Sequence, residues 1–168
     1  MFRSLICILI LTGLTAACRP LPFVSTPAPT QTIPPPPNPT AFEVKLAPEI
    51  QPAYRLLRTT AVFSDAAVGA AGTTPDTVKA LRLILNDPAA ESIFKQLLAE
   101  ATPAGQLYAL AGLYVTNPEF ARLAAKPYES SQEMVQTQFG CINAEMPISE
   151  VTMQILDGTL PRALAGNE

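Results

Sequence analysis

Apolar and polar positions along the chain fall into three regimes. Leu5 to Leu14 is an apolar run interrupted only by Thr12 and Gly13. From Arg19 to Pro52 no period survives, because prolines break the pattern repeatedly. From Ala53 onwards periodicity returns. Thr74-Pro75 predicts a helix start, with Thr74 as N-cap and Pro75 at the first helical position. Val78, Leu81, Ile84 and Leu85 then share one face. Asn86 and Asp87-Pro88 close that helix and open the next, with Asp87 as cap. In this second helix Ala90, Ile93, Phe94, Leu97, Leu98 and Ala101 follow the i, i+3, i+4, i+7 spacing of an amphipathic helix. Thr102-Pro103 repeats the cap-then-proline device. It leads into Gln106 to Val115, apolar on nearly every face and therefore expected at the centre of a bundle. Asn117-Pro118 opens a shorter helix with Phe120 and Leu123 inward, closed before Pro127.

The period then changes. Val135, Thr137, Phe139 and Cys141 alternate with Gln136, Gln138 and Gly140, which predicts a strand with one buried face and places Cys141 on that face. A last helix is expected from Ser149 to Leu156, with Gly158 as a left-handed C-cap. Thr59 to Phe63 is a second candidate strand, and Phe63 to Thr74 is expected to be the longest loop of the domain. The segment from Ile93 to Val115 resembles the paired helices of HEAT-type repeats: a leucine-bearing helix, a short polar turn and an alanine-rich helix. One hairpin is not a solenoid, which needs about three units, so the resemblance implies local geometry alone. The expected fold is mainly α. It is a small helical domain over 53–168, with HEAT-like antiparallel helix pairs and one or two short strands, behind a disordered Pro-rich tether.

The first regime has the order of a secretory signal over 1–17. Arg3 gives the positive start, Leu5 to Leu14 the apolar centre, and Thr15, Ala16 and Ala17 the small residues before Cys18. The run is too short to cross a bilayer, which takes roughly 20 apolar residues. Leu14-Thr15-Ala16-Ala17-Cys18 resembles the bacterial lipobox, with Thr15 where leucine is usual. That resemblance implies that Cys18 becomes the lipidated first residue. Ordinary cleavage after Ala17, releasing a soluble protein, is the alternative. The whole chain also looks like bacterial lipoproteins that carry an Ala/Leu-rich domain behind a Pro-rich tether, a resemblance that implies no activity. The stretch 18–52 contains 11 of the chain's 18 prolines, Pro34 to Pro37 in a row. Proline fixes φ and removes the amide donor, so a polyproline II or disordered spacer is expected. From Arg19 to Leu46 it could reach roughly 80–90 Å when extended.

Composition narrows the chemistry. The chain has 11 Lys and Arg against 14 Asp and Glu, and no His. Without a basic patch, nucleic acid is not an expected partner. Without His, the commonest general base and metal ligand are missing, and neither metal nor cofactor is expected. Of three cysteines, Cys7 would leave with the signal and Cys18, if lipidated, is taken, so Cys141 would stand alone without an internal disulfide framework, expected buried rather than available for pairing with another chain.

Four patterns bear on catalysis or binding. Ser92-Ile93-Phe94-Lys95 fits the S-x-x-K serine–lysine pair of penicillin-recognising enzymes, but no S-D-N or K-T-G element accompanies it. Ser92 and Lys95 are therefore expected on a solvated face. Gly69-Ala70-Ala71-Gly72 lacks the Lys-Ser/Thr of a phosphate loop and reads as a flexible connection. Ser64, Asp65 and the loop after them are the first place to look for a binding surface. Tyr108 and Tyr114, six apart, fall on different faces of their helix. The expectation is a membrane-anchored, non-enzymatic interaction or scaffold module of the bacterial cell envelope. Its partners would be the membrane, through lipid on Cys18, and an envelope protein. The alternative is a small exported hydrolase using Ser with Lys or Asp.

Overall fold

The computed structural model describes residues 45–166; the signal, Cys18 and most of the proline-rich stretch lie outside the described residues. Among the described residues the domain is mainly helical. Seven helices and three strands follow in the order α1 (Gln51–Thr59), β1 (Val62–Val68), α2 (Asp76–Leu85), α3 (Ala90–Glu100), α4 (Pro103–Thr116), α5 (Pro118–Ala125), β2 (Met134–Gly140), β3 (Ile142–Pro147), α6 (Ile148–Leu156) and α7 (Thr159–Ala165).

The centre is α4, as its all-round apolar sequence predicts. It buries nine residues from Ala104 to Leu113 and packs against each of the other helices and against β1 and β2. The cap-then-proline signals that work are local. Thr102 accepts from the Gly105 amide at 3.3 Å and Asn117 from the Phe120 amide at 3.0 Å, satisfying amides that a helix start leaves free. The earlier signals need correction by one or two residues. Pro75, not Thr74, is the N-cap of α2. Asp87 caps the turn before α3, accepting from Ala89 at 2.7 Å, while Ala89 is the N-cap itself.

Two glycines let α4 sit so close to its neighbours. A Cβ on Gly112 would lie 2.5 Å from the ring of Phe94 in α3, and one on Gly105 would collide with the backbone carbonyl of Leu57 in α1.

The folded body begins earlier than the proline content indicates. Ile50, Ala53, Tyr54 and Leu57 are all buried, and their i, i+3, i+4, i+7 spacing makes α1 amphipathic. Pro52 lies in its first turn, where a missing amide costs nothing. The candidate strand at Thr59 to Phe63 is displaced accordingly: α1 runs to Thr59, and β1 occupies the first half of the expected loop.

The sheet has the order β1-β2-β3. β1 and β2 are parallel, with Phe63 opposite Thr137, and the register shifts between Ser64 and Val68. β2 and β3 are antiparallel, with Phe139 opposite Ile142. A hairpin thus turns through Gly140-Cys141, and Gly140, at φ +55°, supplies the positive φ that a two-residue hairpin turn requires. The expected burial of Cys141 is therefore overturned. The alternation is carried by the buried Val135 and Thr137, but the strand ends at Gly140, and Cys141 is exposed in the turn. Ile148–Leu156 forms a helix as expected, and Gly158, at φ +84°, follows it. Gly158 also opens α7, whose C-terminal carbonyls are held by Arg82 of α2, from Nε to Leu164 O at 2.7 Å.

Candidate functional site

A buried polar group lies where β1, α2 and α4 meet. Tyr108 is fully buried. Its hydroxyl accepts from the Ser64 amide at 2.7 Å and donates to the Ser64 carbonyl at 3.2 Å. Thr77 Oγ1 lies 2.9 Å from the same oxygen. One phenol thus pairs with both main-chain groups that Ser64 turns away from β2, where a further strand would otherwise bind. Burial pushes the Tyr108 phenol above its ordinary value of 10, against the lowering effect of its hydrogen bonds with Thr77 and Ser64. It stays neutral at physiological pH.

Ser64 is 5% exposed. Asp65 turns Oδ1 to the Ala66 amide at 2.6 Å rather than to a hydroxyl. The group can donate and accept hydrogen bonds, and it lacks the activated base that would make one of its hydroxyls a nucleophile. Of the residues singled out in the sequence, Ser64 and Asp65 are thus adjacent to the group's centre. The two partners that organise it, Thr77 and Tyr108, are 13 and 44 residues away in the chain. A tyrosine in an all-round apolar helix signals that its hydroxyl needs a buried partner; which partner is a tertiary fact.

The Ser92–Lys95 pair is not assembled. Ser92 is exposed, and Lys95 Nζ lies 2.6 Å from Glu91 Oε1 and 4.3 Å from the centre of the Phe120 ring. Glu91 also accepts from Asn117 Nδ2 at 3.0 Å. Hydrogen bonds from Lys95 and then Asn117 hold the Glu91 carboxyl below its ordinary value of 4.5. The cluster ties the start of α3 to the α4–α5 junction. Tyr114 diverges from Tyr108 as its spacing requires: its ring faces the Arg122 guanidinium at 5.7 Å. The turn from Gly69 to Gly72 is exposed and adjoins the hairpin turn through Gly69 N to Gly140 O, 2.9 Å.

Among the described residues no three His, Cys, Asp or Glu side chains gather to hold a metal ion, and no helix is long and apolar enough to cross a membrane. Cys18, the lipidation candidate, lies outside the described residues. No family model, curated protein or solved structure matches this chain.

Proposed function

We propose that the protein is a membrane-anchored lipoprotein of the bacterial cell envelope, and that its folded domain is a non-enzymatic interaction module. The observation that carries the anchoring is the order of Arg3, an apolar run, three small residues and Cys18. An acylated Cys18 with two or more chains gives stable attachment, whereas one chain is marginal. The proline-rich residues that follow suit a spacer between bilayer and domain. The interaction reading is supported by the chemistry of the polar groups: the hydroxyls of Ser64, Thr77 and Tyr108 serve the backbone and one another, and Lys95 is committed to Glu91.

The test is the mass of the N-terminal peptide of the protein expressed in a bacterium. The expected result is a peptide starting at Cys18 with acyl chains attached, and a Cys18→Ala variant that is no longer membrane-bound. An unmodified terminus at Cys18, or an intact Met1, ends the anchoring claim.

A further inference from the structure

The two edges of the sheet are treated differently. At β1 the Tyr108 hydroxyl closes the outward main-chain groups of Ser64. At β3 nothing comparable is present: among the described residues the sheet ends there, with β2 on one side and no strand on the other. The register fixes which groups are left open. Phe139 and Ile142 flank a two-residue turn and so form a hydrogen-bonded pair, and such pairs alternate along an antiparallel ladder. Ile142, Ala144 and Met146 therefore face β2, while Asn143, Glu145 and Pro147 direct their main chain outward. Pro147, which has no amide hydrogen, stands where none is needed for the ladder. Asn143 and Glu145 each leave an N–H and a C=O available to an added strand.

Charge says what kind of strand. No Lys or Arg occurs between Lys126 and Arg162, a span that holds β2, β3 and α6 and carries Glu129, Glu133, Glu145, Glu150 and Asp157. Nor is there one between Arg58 and Lys79, which brackets β1. The three strands are thus free of positive charge, and among the described residues the cations lie on the helices or beside them, Lys45 ahead of α1 and Lys126 at the end of α5. Glu145 is exposed on the outer face, with one carboxylate oxygen held by Gln136 Nε2. On the opposite face of β3, Ile142 is 68% exposed and Met146 half-buried. An extended segment alternating cationic and apolar side chains would set its cations toward Glu145 and its apolar groups toward Ile142 and Met146.

We propose that the free edge of β3 docks a basic, extended segment of a partner protein by strand addition. The proposal deepens the interaction reading and rests on it, but not on the lipid. Main-chain pairing at Asn143 and Glu145 supplies the affinity, and the cation-free sheet selects the sign of the partner's charge.

The test uses the purified full chain and a labelled extended peptide alternating lysine and valine, with a glutamate–valine peptide as its counterpart, followed by fluorescence anisotropy. The lysine peptide binds, more weakly as salt is raised, and the glutamate peptide does not. Glu145→Lys weakens binding about tenfold. Asn143→Pro removes an outward N–H, leaves the bonds to β2 in place and weakens binding comparably. Amide hydrogen exchange on the unsubstituted protein gives an answer independent of the variants: saturating lysine peptide slows exchange at Asn143 and Glu145. Equal binding of the two peptides, or unchanged exchange at both amides, overturns the proposal and leaves Glu145 and Pro147 as guards that keep an edge solitary. Lipidation plays no part in this titration, so either result leaves the anchoring of Cys18 to its own measurement.

Discussion

At Gly105 and Gly112 a hydrogen atom stands where any other residue would bring a methyl group into a neighbouring helix. The two positions differ in what they meet. At Gly112 the obstacle is the ring of Phe94, itself fully buried and unable to swing away; at Gly105 it is the Leu57 backbone, which cannot move without moving α1. Alanine favours a helix over glycine by about 1 kcal/mol, yet overpacking of this kind costs about 1–3 kcal/mol or more. Gly105→Ala is expected to lose about 2 kcal/mol net and Gly112→Ala somewhat less, read as lowered urea midpoints. A midpoint for Gly105→Ala at or above that of the parent protein would contradict the close approach of α1 and α4. Thr152 points the other way. It is fully buried in α6 and its hydroxyl has no hydrogen-bond partner. An unpaired buried hydroxyl costs about 1–3 kcal/mol, so Thr152→Val is expected to raise stability by about 1 kcal/mol, visible as a higher thermal midpoint.

At the scale of elements, Tyr108 joins α4 to β1 through main-chain groups of Ser64. Tyr108→Phe keeps the ring, which packs on Phe63 with centroids 4.7 Å apart, and strips the hydroxyl alone. The expected loss is about 2 kcal/mol, together with faster hydrogen exchange at the Ser64 amide; unchanged exchange there would mean that the phenol is not what closes this edge. Elements whose determinants are local were legible in the sequence. Thr102 and Asn117 announce their helices because a cap bonds within its own first turn. α4 announces its central place by having no polar face. α1 was hidden by composition: Pro48 and Pro52 join it to the proline-rich stretch, although Ile50, Ala53, Tyr54 and Leu57 carry a full amphipathic period. β1 reads as a loop because Asp65, Ala66 and Ala67 break the alternation after Phe63, and its partner β2 comes only after four helices. β3 alternates Ile142, Ala144 and Met146 with Asn143 and Glu145, but it is short and buries little, so its pairing follows from the turn at Gly140-Cys141. α7 depends on Arg82, some eighty residues earlier, to hold its last carbonyls. Of the candidate site, Ser64 and Asp65 were legible as a place to look, but their link to Tyr108 and Thr77 is made only by packing.

Over the whole molecule, burial raises three phenols. Tyr108 and Tyr54 both lie above 10, Tyr54 with help from its hydrogen bond to Glu100, and Tyr128 is pushed up to about 12. A folded state that keeps these protons longer than the unfolded chain binds more protons above pH 10. Stability is therefore full below pH 10 and falls as pH rises from there toward the folded values. The expected observation is alkaline unfolding in which tyrosine ionisation, followed by ultraviolet absorbance, coincides with loss of helical circular dichroism. Phenols ionising near pH 10 while helicity persists would contradict their burial. Glu91 acts at the other end: its lowered value supports the fold above about pH 4.5 and that support is lost as pH falls.

The position of α1 also has a mechanical meaning. Any pull on the chain from the N-terminal side of Lys45 reaches the core through this helix. Beyond its buried face, its fastenings include Tyr54 to Glu100 at 3.0 Å, the Arg58 carbonyl to the Thr102 amide at 3.0 Å, and Leu57 against Gly105. Load applied along the chain meets the buried Ile50 and Ala53 first and these anchors in succession, and through Leu57 against Gly105 it passes directly to α4. The helix is the coupling between whatever lies upstream and the body that it joins.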